Sequence, residues 1–125
     1  MILDTNAVSA LLDGDAALNV VLDGADRHHL PAIVLGEYRY GLMASRQRQT
    51  LEALLDELEE ESLTVTLNGA TARHYADIRS ELKLAGRPIP ENDLWIAALC
   101  RQHRLPIVSR DEHFDAVKGV RRIGW

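Results

Sequence analysis

Four acidic residues stand where chemistry could be done: Asp4, Glu37, Asp93 and Asp111, in the stretches "MILDTN", "VLGEYRY", "PENDLWIAA" and "VSRDEHF". Each follows an apolar run or opens a helical one. For any one acid alone the ordinary explanation is good, because Asp and Glu near a helix start favour the helix dipole. Four together are harder to dismiss. Carboxylates that converge without partners repel and raise one another's pKa. No run of Lys or Arg lies close enough in sequence to neutralise them. A divalent cation would, and all-oxygen ligation favours Mg²⁺ or Mn²⁺ over zinc. The five histidines do not compete, since none forms a ligand pair at helical spacing with another His or Cys. His113 is the one expected nearest the acids.

The elements that must position these acids read as alternating strands and helices. "MILD" is a short buried strand that Asp4 ends. "AVSALLDGDAALNVVLDGAD" has helical spacing broken near Gly14, which predicts two short helices. "HHLPAIVL" reads as a second strand, and Glu37 then falls in the first turn of the helix "GEYRYGLMAS". Leu51, Leu54, Leu55 and Leu58 mark an amphipathic helix. "SLTVTL" is a third strand. Asn68 caps the next helix and Gly86 ends it. "RPIP" is a rigid turn, with Pro90 at the first position of the helix carrying Asp93. "LPIVS" is a fourth strand, which Asp111 follows, and "VRRIGW" an edge strand.

This alternation predicts an α/β fold: three layers, α/β/α, around a central parallel sheet of four to five strands, with right-handed crossovers. Functional groups then collect beyond the C-terminal ends of the strands. Strands one and four should be neighbours where the strand order reverses, which sets Asp4 beside Asp111. The 125 residues fit a single domain, 1–125.

Composition narrows the class. Apolar residues make up 46% and charged residues 26%, a soluble globular balance with no apolar run long enough for a membrane span. The single cysteine, Cys100, excludes an internal disulfide and reads as a buried inert thiol. No secretory signal pattern opens the chain, and a cytoplasmic location is the default expectation. A net charge of −5 argues against a broad nucleic-acid-gripping face but not against acids gathered in one metal site. Only Lys83 and Lys118 are lysine; the other basic residues are arginine, which suits phosphate contacts, though genome base composition produces the same bias. The acidic run Asp56, Glu57, Glu59, Glu60 and Glu61 reads as the solvated face of one helix.

Asp4-Thr5-Asn6, Gly36-Glu37, Asn92-Asp93-Leu94-Trp95-Ile96-Ala97-Ala98, and Ser109-Arg110-Asp111 with Phe114 occur in this order. Together they resemble the PIN-domain family, and most closely the VapC toxins of toxin–antitoxin pairs. The resemblance covers the whole chain. It implies an acidic quartet at Asp4, Glu37, Asp93 and Asp111. It also implies supporting groups at Asn6 and at Ser109, where many relatives carry Thr. Thr5 and Asn6 are expected to orient Asp4 and cap the first helix. An Asp-x-Asp-x-Thr segment would have favoured an aspartate-nucleophile phosphatase; Asn6 stands in place of that second Asp.

The resemblance implies a Mg²⁺-dependent endoribonuclease acting on structured RNA such as tRNA or rRNA, with Mn²⁺ as an alternative ion. Asp4 and Asp93 would be direct ligands, and Glu37 and Asp111 would hold waters, a second ion or the attacking water. It implies a homodimer and a small VapB-like antitoxin lying along a groove, which Tyr38, Tyr40, Leu42, Met43 and Leu54 could line or could instead fill as ordinary core. Arg87 and Arg110 flank the site in sequence and are candidate phosphate contacts, with free surface arginine as the ordinary reading. The competing readings are a PIN-fold interaction module without turnover, and an RNA-maturation or DNA nuclease without antitoxin.

Overall fold

The computed structural model describes residues 1–125. Five short parallel strands form one sheet: β1 (Ile2–Leu3), β2 (His29–Pro31), β3 (Leu63–Val65), β4 (Ile107–Val108) and β5 (Arg122–Ile123). Their order is β3-β2-β1-β4-β5. β1 is the central strand, pairing Ile2 with His29 on one side and Ile2 and Leu3 with Ile107 and Val108 on the other. Ile2 and Leu3 are fully buried, as a strand covered on both faces requires. The order reverses between β1 and β4, which is where the sequence placed the switch.

Six helices flank the sheet: α1 (Thr5–Leu12), α2 (Ala16–Leu22), α3 (Ala32–Leu42), α4 (Arg48–Glu61), α5 (Gly69–Leu84) and α6 (Glu91–His103). They form two groups. α1 to α4 pack on one another, and α5 packs along α6, completing the three-layer α/β/α arrangement. α6 is the innermost: Leu94 and the run Ile96 to Cys100 are buried. The core is one cluster of 26 buried residues drawn from every layer. No helix is long and apolar enough to cross a membrane.

Local signals account for most boundaries. Gly14, at φ +77°, takes the left-handed conformation that separates α1 from α2. Asn68 and Thr71 make a reciprocal capping box on α5, and Thr71 Oγ1 also donates to Gln102 of α6 at 2.6 Å. Three expectations are corrected. The "HHLPAIVL" run is strand only to Pro31; Ala32 to Leu35 already belong to α3. Pro31 has no N–H to extend a ladder, and it stands as the N-cap of α3. Glu37 therefore lies in the second turn of α3, not the first. Pro90 is the N-cap of α6 rather than its first residue, so α6 starts at Glu91.

Cys100 is buried among apolar neighbours, and that burial pushes its thiol up to about 12. Such a thiol is inert at neutral pH.

Candidate active site

β1 ends at Leu3, and Asp4 begins the loop to α1. Its backbone N–H still donates to Val108 of β4 at 3.1 Å, so the sheet fixes where its carboxylate points. Asp4 is 5% exposed. Its Oδ1 accepts from the Thr5 backbone N–H at 2.8 Å, and its Oδ2 accepts from Ser109 Oγ at 2.6 Å and Asn6 Nδ2 at 3.2 Å. Asp4 is itself the N-cap of α1, a role the sequence reading gave to Thr5 and Asn6. Asn6 does orient Asp4, as expected, and both side chains also reach further. Asn6 spans the switch point, donating to Ser109 Oγ at 3.2 Å and accepting from the Arg110 N–H at 3.1 Å. Thr5 Oγ1 donates to Glu37 Oε2 at 2.9 Å.

Ser109 joins the halves. It is fully buried, donates to Asp4, and accepts from the Asp111 N–H at 2.9 Å. One hydroxyl therefore sets the distance between the acid after β1 and the acid after β4. Glu37 is held from two sides, by Thr5 and by Asn92 Nδ2 at 2.7 Å. Asn92 lay inside a quoted motif without an assigned role. Its position one residue before Asp93 was the available signal.

Asp4, Glu37, Asp93 and Asp111 line one cleft of about 630 Å³, together with Thr5, Asn6 and residues of α3 and α4. Ser9 of α1 and Asp13, its C-cap, line it too, and neither stood out in the sequence. No Lys or Arg forms an ion pair with any of the quartet. The one basic group in contact is His113, whose Nδ1 lies 2.9 Å from Asp111 Oδ1 and 3.4 Å from Asp93 Oδ2. His113 thus sits near the acids, as the sequence suggested, and bridges two of them.

Electrostatics record the crowding. Burial raises the Asp4 carboxyl above its usual value; the Ser109 and Thr5 hydrogen bonds oppose this, and the charges of Asp111 and Glu37 add to it. Asp93 is pushed up to about 6, first by burial, then by Asp4 and Asp111, with His113 pulling the other way. A divalent cation would compensate such a donor set. The ligand atoms of Asp93, Asp111 and His113 fall within 4.8 Å of one another, and Asp4 and Glu37 add oxygens along the same cleft. The residues present fit a hard cation.

Beside the cleft, Arg110 is committed elsewhere. Its Nη2 bonds Asp15 Oδ2 at 3.0 Å, and its guanidinium lies 4.4 Å from the Trp125 ring centroid. Trp125 Nε1 donates to the same Asp15 oxygen at 3.3 Å. This latch ties the final residue to the Ser109–Asp111 segment. The expected apolar groove divides: Tyr38 and Leu42 are core, whereas Tyr40, Met43 and Leu54 are exposed.

Comparison with known proteins agrees with this geometry. Residues 1–120 match the family model described as the PIN domain. The chain is 30% identical to Ribonuclease VapC5 of Mycobacterium tuberculosis over 121 residues, covering 95% of this chain and 88% of that protein. It is 29% identical over 97 residues to the tRNA(fMet)-specific endonuclease VapC of Shigella flexneri, covering 77% of this chain and 74% of that one. A solved structure of VapBC-5 from Mycobacterium tuberculosis, a member of the VapBC family of toxin-antitoxin systems, superposes with a TM-score of 0.79 at 30% identity, covering 99% and 97% of the two chains. With the acids at the switch point of a parallel sheet and the match spanning nearly its whole length, the chain belongs to the PIN domain family, and proteins named VapC ribonuclease are its relatives there.

Proposed function

We propose that this chain is a Mg²⁺-dependent endoribonuclease, with Mn²⁺ able to substitute, that acts as the toxin of a toxin–antitoxin pair on structured RNA. The observation that carries the reading is the convergence of Asp4, Glu37, Asp93 and Asp111, from four separate segments, on one cleft without a Lys or Arg partner. Relatives named VapC ribonuclease and a tRNA-specific endonuclease support the substrate class.

Asp4 and Asp93 are the proposed ligands, with Glu37 and Asp111 completing the acidic wall. A bound cation supplies charge compensation at a scissile phosphate and lowers the pKa of a water nearby. The chain's own residues supply position. Ser109 and Asn6 hold Asp4 in one rotamer and leave its carboxylate little freedom. Thr5 and Asn92 do the same for Glu37, whose carboxylate is the candidate to orient or deprotonate the attacking water. The apolar core beneath Leu3 and Val108 keeps bulk water from the buried side of the site.

An antitoxin of the VapB type is the proposed partner. The VapBC assembly superposed above supports it, and Tyr40, Met43 and Leu54 leave apolar side chains exposed for a partner to cover. A homodimer and a cytoplasmic location complete the proposal. The test is cleavage of total RNA with Mg²⁺, wild type against Asp93→Asn, with circular dichroism to establish folding. Loss of cutting in a folded variant supports the reading. A folded Asp93→Asn that cuts as well as wild type ends it.

A further inference from the structure

The acid cleft poses a problem for any polyanionic substrate. A chain of net charge −5, with four acids gathered at the reaction site, presents RNA with an unfavourable field at that cleft. The strand must be held by fixed positive charge close by. Of the two arginines flanking the site in sequence, Arg110 is tied to Asp15 and Trp125. Arg87 forms no ion pair and is exposed.

The backbone carrying Arg87 is unusually well fixed. α5 ends in a Schellman motif: the Gly86 N–H donates to Lys83 at 3.1 Å and the Arg87 N–H to Leu82 at 2.9 Å. Gly86 takes the required left-handed conformation at φ +65°. Pro88 follows at once, and Pro90 caps α6. Arg87 therefore leaves a rigid turn between the end of α5 and the start of the helix bearing Asp93.

Two grooves meet at that turn. One, of about 300 Å³, is lined by Arg87 on one side and by Asp111, Glu112 and His113 at its acid-site end, so Arg87 is the groove's one Lys or Arg. The other, of about 360 Å³, lies across Pro88 and Ile89 and is lined by Lys83, Arg79 and Glu91. Arg79 is paired with Glu91 at 3.3 Å, whereas Lys83 is unpaired. A path thus runs from the quartet past one free guanidinium to one free ammonium.

We infer that Arg87 and Lys83 form a phosphate-binding track that holds the RNA backbone where it leaves the acid cleft, an inference that rests on the ribonuclease reading above. Arg87 binds a phosphate close to the scissile one, its planar fork suiting two oxygens. Lys83 binds a phosphate further along. Both contacts are to the backbone, so they position the strand without reading its sequence.

The test measures binding and cleavage separately. A fluorescein-labelled RNA hairpin is titrated by anisotropy against the Asp93→Asn protein with Mg²⁺ across a salt series. Adding Arg87→Ala is expected to weaken binding about 3- to 10-fold and to reduce the log–log salt slope by about 0.7 to 0.9, the loss of one phosphate contact. Lys83→Ala is expected to act in the same direction with a smaller loss of affinity. Arg87→Lys should restore the slope. Arg73→Ala removes the same charge about 20 Å back along α5 and should change neither quantity. In the active protein, Arg87→Ala should raise KM for total RNA several-fold with kcat retained. Unchanged affinity and slope in Arg87→Ala, or no hairpin binding by the parent protein at low salt, overturns the track. Arg87-dependent binding by a wild-type protein that cuts no RNA would instead overturn the ribonuclease reading and leave the track standing.

Discussion

Two acidic regions of this protein use the same residue types to opposite ends. α4 carries Asp56, Glu57, Glu59, Glu60 and Glu61 within one stretch of chain, mostly exposed, with Arg39 bridging Asp56 and Glu59 at 2.8 and 2.9 Å. The cleft carries Asp4, Glu37, Asp93 and Asp111 from four distant segments, with Asp4 buried and the others half-buried. Charge density along the sequence is highest in the first region, yet perturbed carboxylates occur in the second. Where acids are adjacent in sequence, water and a nearby arginine satisfy them. Where the fold itself gathers them, they have no Lys or Arg partner, and that deficit marks the site.

The largest expected effect of breaking this contrast is at Asp93. Asp93→Asn should lower RNA cleavage by about 100- to 1,000-fold, whereas Glu57→Gln with Glu60→Gln on α4 should leave cleavage unchanged. Because Asp93 is desolvated and faces Asp4 and Asp111, the same Asp93→Asn change should raise the melting temperature of the metal-free protein at pH 7.5. Thermal denaturation beside the cleavage assay reads both.

Ser109 sharpens the comparison next, since it joins two of the cleft acids. Ser109→Ala removes the 2.6 Å bond to Asp4 and leaves the Asp111 N–H without its acceptor. Divalent-cation affinity should fall about 10- to 100-fold and stability by about 1–3 kcal/mol. Ser109→Thr, which keeps the hydroxyl, should retain most of both. A Ser109→Ala protein with wild-type affinity would show that the acids do not depend on this junction.

The smallest effect is in pH. Asp93 titrates near 6 in the fold against an ordinary value of 3.8, and Asp4 is raised as well. The folded protein therefore holds protons that the unfolded chain has released between about pH 4 and 6. The contribution of Asp93 and Asp4 to metal-free stability should fall as pH rises through that window. Half-buried His28 and His29, held below their usual value by desolvation, contribute in the opposite sense, so the fall is read as the difference between wild type and Asp93→Asn. Cation binding needs the ionised carboxylates, so the melting-temperature gain from Mg²⁺ should be small at pH 5 and reach its full size by pH 7.5. A gain independent of pH would place the cation elsewhere.

Much of this contrast was legible in the sequence because strand ends and helix starts are marked locally. Asp4 follows an apolar strand at the N-terminus, Asp93 follows a Pro-containing turn, and Asp111 follows an apolar run. The alternation of elements supplied the switch point, and with it the proximity of Asp4 and Asp111. What misled was the run Ala32 to Leu35, apolar enough for a buried strand but helical in fact. A short apolar run cannot distinguish the two, and only the end of strand pairing after Pro31 decides it. The partners of the acids were less visible. Asp4 capping α1, Asn92 holding Glu37 and His113 bridging Asp93 and Asp111 are contacts made by tertiary packing. Tyr38 and Tyr40, two residues apart, show the same limit: one is core and one is 80% exposed, a division set by how α3 packs on its neighbours.

The most direct measurement is calorimetric titration of Mn²⁺ into the metal-free protein at pH 7.5, beside Asp4→Asn and Asp93→Asn proteins whose folding is established by circular dichroism. Saturable binding in the wild type that falls at least tenfold in each variant is the predicted result. Equal Mn²⁺ affinity in all three folded proteins, or none in the wild type, would contradict a shared cation at the head of β1 and β4.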